Sequence, residues 1–231
     1  NTKSETLATE EGRKEAFKLA MSDSIGGSYA SYDDDDDDDD FYFTPYNIIE
    51  QCAVVPVHGS LINRFNSTWG FITGYNYIRH AISTAINDDR VKKIVLDVNS
   101  GGGQVAGCFE TSQFIRQASL IKPVYAIVDS SCYSAAYALA SAATEIYATP
   151  SSGVGSIGVI CVHSSLQQLY ENEGIKITTI KAGDKKDLGS SFKDLSAQDI
   201  KDLQNDVDMS YSEFVKLVSD NRGLNPEDII K

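Results

Sequence analysis

Two features of this chain are placed to do acyl chemistry together: a serine where a strand runs into a helix, and consecutive glycines near an earlier strand end. Ser134 lies in Cys132-Tyr133-Ser134-Ala135-Ala136-Tyr137-Ala138-Leu139-Ala140, directly after the apolar run Val124 to Val128. A strand that turns sharply into a helix presents its first hydroxyl among unpaired amides, where developing negative charge is stabilised. That placement suits a nucleophile. It also suits a plain N-cap, for which serine is a favoured residue. The glycines lie in Asp97-Val98-Asn99-Ser100-Gly101-Gly102-Gly103-Gln104, after the apolar strand Ile94 to Val98 and before a helix with Val105, Cys108, Ser112 and Ile115 on one face. Their backbone N–H groups suit a phosphate or the oxyanion of a tetrahedral intermediate. The phosphate reading is the weaker, because no Gly-Lys-Ser/Thr follows and the spacing is not that of a dinucleotide fingerprint. A tight turn without chemistry is the plain alternative.

A serine nucleophile needs a base, and the chain has three histidines, His58, His80 and His163. His58 sits at a strand end and His80 on the polar side of a helix whose apolar stripe is Phe71, Tyr75, Ile78, Ile82 and Ile86, so both read as structural or solvated. His163 follows the expected strand Ile157 to Val162 and is one option, since triads are recognised by geometry rather than by chain order. Lysine is the other. Lys186 lies in Lys181-Ala182-Gly183-Asp184-Lys185-Lys186-Asp187-Leu188-Gly189-Ser190, after the alternating strand Ile175 to Ile180. A lysine of ordinary pKa, about 10.4, acts as a base at pH 7 only after a drop of roughly 3 units, which requires burial. On composition alone Lys185 and Lys186 read as a solvated pair in a polar loop.

The order of motifs changes that balance. Strand, Asn-Ser-Gly-Gly-Gly, helix, strand, Ser-Ala-Ala-Tyr, helix, Gly-Val-Gly-Ser-Ile-Gly-Val and Ala-Gly-x-x-Lys-Asp together resemble the signal peptide peptidase A family of Ser-Lys proteases. Within it the chain is most similar to the phage head maturation (prohead) proteases of lambda-type tailed phages, over about Ile48 to Lys231. The resemblance implies Ser134 as nucleophile, Lys186 as general base, Ser156 as a hydroxyl that orients the lysine, and Gly102 and Gly103 as the oxyanion hole. A register shift of one would put Lys185 in the role of Lys186. The family often has Ser-Pro-Gly-Gly where this chain has Ser100-Gly101-Gly102-Gly103, and loss of the proline loosens the unfolded turn. The implied substrates are phage scaffold, portal or coat proteins, cut inside the procapsid in the bacterial cytoplasm by a homo-oligomer with no cofactor or metal. Three alternatives compete: a cellular signal peptide peptidase that degrades cleaved signal peptides, a noncatalytic capsid-assembly module in which Ser134 is only a cap, and a crotonase-type enzyme that uses glycine amides on a thioester.

Bulk properties narrow the field. The chain of 231 residues carries a net charge of −13, eight charges of which come from the run Asp33 to Asp40. No basic surface for nucleic acid is expected from such a balance. Cys52, Cys108, Cys132 and Cys161 are widely spaced, form no Cys-x-x-Cys pair and read as reduced core thiols in a reducing compartment. No stretch approaches the roughly 20 apolar residues of a membrane helix, and no signal core opens the chain, so a soluble protein is expected.

The elements that must position the site follow from periodicity. Residues 1–45 are expected to form an N-terminal helix, over Thr9 to Met21, and an extended acidic linker, because eight adjacent aspartates repel one another and cannot join a core. Calcium fits that run poorly, since its cages need carboxylates spaced by turns. Residues 46–231 are expected to form the protease domain. Strands are predicted near Cys52 to His58, Ile94 to Val98, Val124 to Val128, Ile146 to Ala148, Ile157 to Val162 and Ile175 to Ile180, several of them continuous apolar runs typical of parallel strands buried on both faces. Leu61 to Gly70, with Arg64, Phe65 and Trp69, is expected to overhang the cleft. A closing helix is capped by Ser196, carries Ile200, Leu203, Val207, Tyr211, Phe214 and Val218 on one stripe, and ends at Gly223. This is an α/β pattern, and the resemblance narrows it to a ClpP/crotonase-like spiral of strand-helix units with a mostly parallel sheet.

Overall fold

A computed structural model describes residues 44–230, so the expected N-terminal helix and the aspartate run lie outside the described residues. One seven-stranded sheet organises the rest: β1 (Asn47–Ile49), β2 (Cys52–Ile62), β3 (Ile72–Gly74), β4 (Lys93–Gly103), β5 (Val124–Tyr133), β6 (Glu145–Ala148) and β7 (Gly153–Gly155). The order is β1-β2-β4-β5-β6, with β3 on β2 and β7 on β5, and every pair is parallel except β1 with β2. The α/β class with a mostly parallel sheet is thus the one expected.

Alternation decides which side of the sheet is core. Ala53, Val55 and Val57 on β2, Ile94 and Leu96 on β4, and Val124, Ala126 and Val128 on β5 are fully buried on one face. Their neighbours turn the other way, and on that face Ile127 and Tyr147, paired in register, are exposed. The expectation of burial on both faces therefore fails among the described residues; the strands read as apolar runs because valine and isoleucine also serve on a half-covered face.

Helices cover the buried face. Tyr75, Ile78, Ile82 and Ile86 recur at helical spacing along α1 (Tyr75–Asn87) and vanish into the core. Each such side chain contributes roughly 1.5–3 kcal/mol. Phe71, expected to lead that stripe, instead precedes β3 and is exposed. α2 (Cys108–Ala118) starts after Gly107, whose left-handed φ of 85° makes the turn, and leaves Val105 outside the helix. α3 (Ala135–Ser141) follows Ser134 directly. A short α4 (Gln167–Asn172) precedes the long α5 (Ala197–Arg222), and α6 (Pro226–Ile229) closes the described chain.

α5 starts and stops as its sequence dictates. Ser196 and Asp199 form a reciprocal capping box, and Gly223 ends the helix in a left-handed conformation. Only its C-terminal half joins the core, through Phe214, Leu217 and Val218. There Asn221 Nδ2 donates to Ser141 Oγ at 2.9 Å and to Ser112 Oγ at 3.2 Å, pinning α5 to α2 and α3. In its N-terminal half Ile200 is exposed.

Two predicted strands do not form. Residues 157–162 and 175–180 have no ladder partner, and Ile160, Val162 and Ile180 are 87, 79 and 94% exposed. Their apolar alternation is real, but strands need neighbours, and nothing in the described part of this chain supplies one. The cysteines are all free. Cys108 and Cys132 are core thiols, pushed up to about 12 by burial, whereas Cys52 is half-buried and Cys161 exposed, so the expectation of four core thiols holds for two.

Candidate functional site

Ser134 is held by the sheet on one side and the helix on the other. Its N–H donates to the Gly155 carbonyl at 2.9 Å, extending the Tyr133–Gly155 pairing of β5 with β7, and its carbonyl accepts from Ala138 N–H at 3.0 Å as the first bond of α3. Between these anchors its backbone takes φ 53° and ψ −124°, a conformation that non-glycine residues avoid at a cost of order 1–3 kcal/mol. Although it occupies the N-cap position, its side chain makes no capping hydrogen bond. A serine kept merely to cap would sit in the extended region with its oxygen on an amide, as Ser196 does. Ser134 does neither.

The glycines are not in a turn. They form the irregular end of β4, where the ladder shifts register after Val98, and the turn comes later, at Gly107. Gly102 has φ 104°, and a Cβ there would lie 2.7 Å from Ser134 Cβ, so the backbone of β4 is packed against the serine as only glycine allows. A Cβ on Gly103 would lie 1.9 Å from the Leu61 carbonyl oxygen. Ser100 locks this end: buried, its hydroxyl donates to the Gly59 carbonyl at 2.6 Å and accepts the Gly102 N–H at 3.1 Å. Tyr75 adds a second lock by donating from its hydroxyl to the Gln104 carbonyl at 2.6 Å, and burial raises its pKa.

These bonds sort the amides of the expected oxyanion hole. The Gly102 N–H is taken by Ser100. Gln104 N–H donates to the Leu61 carbonyl on β2 at 2.9 Å, and Gly103 lines the cavity beside Ser134. Ala135 N–H stands in the first turn of α3, where the helix offers no acceptor. The amide of Ala135 was missed in the sequence reading, although its position directly after a helix-initiating serine is a sufficient signal. Beside Ser134, Gly103, Val105, Cys108, Phe109, Val159 and Phe214 enclose an apolar cavity of about 10 Å³, room for one small group.

The other expected residues divide. Ser156 follows Gly155, the acceptor for Ser134 N–H, and shares its left-handed backbone with φ 54°, so the two serines are neighbours across the β5–β7 ladder. Lys186 is not brought to them: it is exposed, and no hydrogen bond or ion pair from its amine forms among the described residues. Lys185 is paired, its amine 2.9 Å from Asp202 of α5. His163 bonds the Ser190 carbonyl through Nε2 at 3.0 Å, His58 bonds Asp97 at 2.9 Å, and His80 faces outward on α1, so no histidine engages Ser134. Val159, Ile160 and His163 face Ile200, Leu203 and Val207 of α5 across a groove of about 550 Å³, which meets the Ser134 cavity at Val159. Trp69 stacks edge-on to Phe65 with ring centres 5.0 Å apart, and is exposed on the loop that follows β2. Among the described residues no three or more of His, Cys, Asp and Glu are grouped to hold a metal ion, and no helix is long and apolar enough to cross a membrane.

Fold and turn together place the chain among mostly parallel α/β proteins in which a helix-initiating serine meets a backbone cradle built by glycines. The chain belongs to peptidase family S49, whose family model matches residues 116–231. It is 35% identical over 182 residues to the head-tail preconnector protein GP5 of Enterobacteria phage P21, covering 78% of this chain and 36% of that protein. With the capsid assembly protease C of Escherichia phage lambda it shares 34% identity over 187 residues, 80% of this chain and 43% of the relative. Protease 4 of Salmonella typhi is 29% identical over 189 residues, 81% of this chain and 30% of the relative. The chain therefore spans well under half the length of these relatives.

Proposed function

We propose that this chain is a serine endopeptidase in which Ser134 is the nucleophile and Lys186 the general base, acting on scaffold, portal or coat proteins during phage head assembly. Ser134 Oγ attacks the scissile carbonyl as its proton passes to the neutral Lys186 amine, and the Gly103 and Ala135 N–H groups hold the oxyanion. Collapse returns that proton to the leaving amine and leaves an acyl-Ser134 ester. Water activated by Lys186 then hydrolyses the ester, and Ser156 orients the amine. The small apolar cavity beside Ser134 favours a small side chain next to the cut bond.

The observation that carries this reading is the Ser134 backbone, strained at φ 53° with its hydroxyl not used as a cap. A noncatalytic assembly module has no need of that strain. A crotonase-type site is disfavoured because no acidic residue lines the cavity beside the glycines. The names and identities of the two phage relatives support capsid proteins as substrates, and the procapsid in the host cytoplasm is the corresponding place of action.

Exposure of Lys186 sets a condition. An ammonium in water is a poor base, so the amine must be covered before it serves Ser134. The uncovered apolar residues Ile160, Val162 and Ile180 lie on the same stretch of chain, and we assign their cover to further copies of the protein in a homo-oligomer. The test is labelling with a serine-reactive fluorophosphonate, followed by mapping of cleavage products in purified procapsids. Stoichiometric labelling at Ser134, lost together with cleavage in Ser134→Ala and Lys186→Ala, is the expected result. Substantial turnover by either folded variant overturns the assignment, and cleavage confined to signal peptides moves the substrate to the cellular branch.

A further inference from the structure

Ser100 carries a buried hydroxyl that the proposed reaction leaves unused. It is 2% exposed and stands in register with Cys132, two residues before Ser134. Both ladders slip around it: the pairing of β4 with β5 shifts between Val98 and Ser100, and that of β2 with β4 shifts between His58 and Ser60. Where ladders slip, backbone groups must find other partners. The Ser100 oxygen is that partner on both sides. A carbonyl only accepts and an N–H only donates, so the hydroxyl gives its proton to the Gly59 carbonyl at 2.6 Å and accepts the Gly102 N–H at 3.1 Å.

We propose that Ser100 is a positioning residue for the oxyanion hole: through Gly102 it sets the peptide plane that carries the Gly103 N–H. The inference rests on the reading of Ser134 as nucleophile and Gly103 as an oxyanion donor. Peptide groups are planar, so each moves as a plate hinged at its α-carbons. The plate with the Gly102 N–H is pinned by Ser100, and the plate with the Gln104 N–H by the Leu61 carbonyl at 2.9 Å. The plate with the Gly103 N–H lies between them. Its downstream neighbour is held further by the Tyr75 hydroxyl on the Gln104 carbonyl and by Gln104 Oε1, which accepts the Asn63 N–H at 2.9 Å. Its upstream hinge is Gly102, at φ 104° and with no side chain to resist rotation, so the bond to Ser100 matters most there. Movement at that hinge reaches the reacting groups directly. A Cβ on Gly102 would lie 2.7 Å from Ser134 Cβ and 3.0 Å from the Ala135 nitrogen, so this backbone packs against both the nucleophile and the second donor.

Saturation kinetics of fluorophosphonate labelling at Ser134 in the full chain read the hole, because the phosphoryl oxygen occupies it during attack. Ser100→Ala is expected to lower the maximal labelling rate about 10- to 100-fold, with the half-saturating probe concentration and the pH profile unchanged. Ser100→Cys, which keeps only a weak donor and acceptor, is expected to fall between, and it carries the same comparison if the alanine variant does not fold. Combination with Gly102→Ala separates positioning from plain support. Two substitutions that act through one stretch of backbone do not add, so the double variant is expected to lose no more than about what Gly102→Ala loses alone. Losses that multiply, a wild-type rate in folded Ser100→Ala, or a fall that only follows the folded fraction would each overturn the proposal. Wild-type protein that is not labelled at Ser134 overturns the underlying reading and this inference with it.

Discussion

Between Cys52 and Gly155 one face of the sheet and the helices on it bury most of the apolar side chains they share; between Ser156 and Leu195 none is fully buried, and Ile157 and Val159 only pack against the edge of that core. Leu96 and Val128 have neighbours on strands to either side and helices above, and are wholly buried. Ile160 and Ile180, equally apolar, are almost fully exposed, and their stretch is held by ion pairs to α5 and one short helix. The boundary falls at the candidate site. Ser134 and the glycines belong to the self-sufficient part, where backbone strain is sustained because ladder bonds on β5, β4 and β7 over-determine it. Lys186 belongs to the part that the chain does not finish by itself. In the proposed reading, a nucleophile readied within the chain and a base that waits for cover keep the enzyme idle until copies assemble.

Truncating one apolar residue in each part breaks or sharpens the contrast most directly. Leu96→Ala empties a closed core position and is expected to cost about 2–5 kcal/mol in urea unfolding of the isolated chain. Ile180→Ala removes a side chain that already faces water, and its cost is expected to stay within about 0.5 kcal/mol. Equal losses would mean that the exposed stretch is buried in the chain itself. Gly102→Ala comes next. Its Cβ meets the Ser134 side chain and the backbone on either side of it, so the serine must shift. Misplacement of a reacting group by about 1 Å costs on the order of a hundredfold in rate. The expected result is a folded protein whose Ser134 labelling falls by about that factor, and near-normal labelling would show that β4 does not brace the serine.

How much of this was legible in the sequence follows the same boundary. Strands β2, β4, β5 and β6, the caps of α5 and the serine at the start of α3 were readable because each is set by local pattern: apolar strand runs, 3.6-residue alternation, Ser196, Gly223, and a hydroxyl at a strand-to-helix junction. Ser134 as a bare cap was the competing reading, and only the backbone angle and the unused hydroxyl weigh against it. Residues 157–162 and 175–180 carried the right alternation and still do not pair, because a ladder depends on a neighbour that sequence pattern cannot supply. Burial of both sheet faces failed for a related reason, since an apolar strand does not say what lies on its far side. The commitment of the Gly102 amide to Ser100, and of Lys185 to Asp202, are contacts between residues distant from any motif boundary, so spacing gave no sign of which amide or which amine was free.

The smallest expected effect concerns acid. Asp187 is held below the ordinary carboxylate range first by its hydrogen bond from Lys181, Asp199 by the backbone and side chain of Ser196, and Asp202 by Lys185. A depressed carboxyl stabilises the fold above its unfolded pKa, and that contribution is lost as pH falls through the folded value. The attachment of residues 181–193 to α5 is therefore complete at neutral pH and loosens below about pH 4. Salt acts in the same direction, because these pairs lie near the surface. The sheet has no such dependence in its core, where Leu96, Val98, Ala126 and Val128 carry no charge. Native-state amide exchange at pH 3 and pH 7, corrected for the intrinsic pH dependence of exchange, is expected to show protection lost in the first turns of α5 and at Lys186 and Leu188, while β4 and β5 keep theirs. Parallel loss in both regions would mean that the ion pairs hold up more of the molecule than one segment, and would erase the division between the two parts.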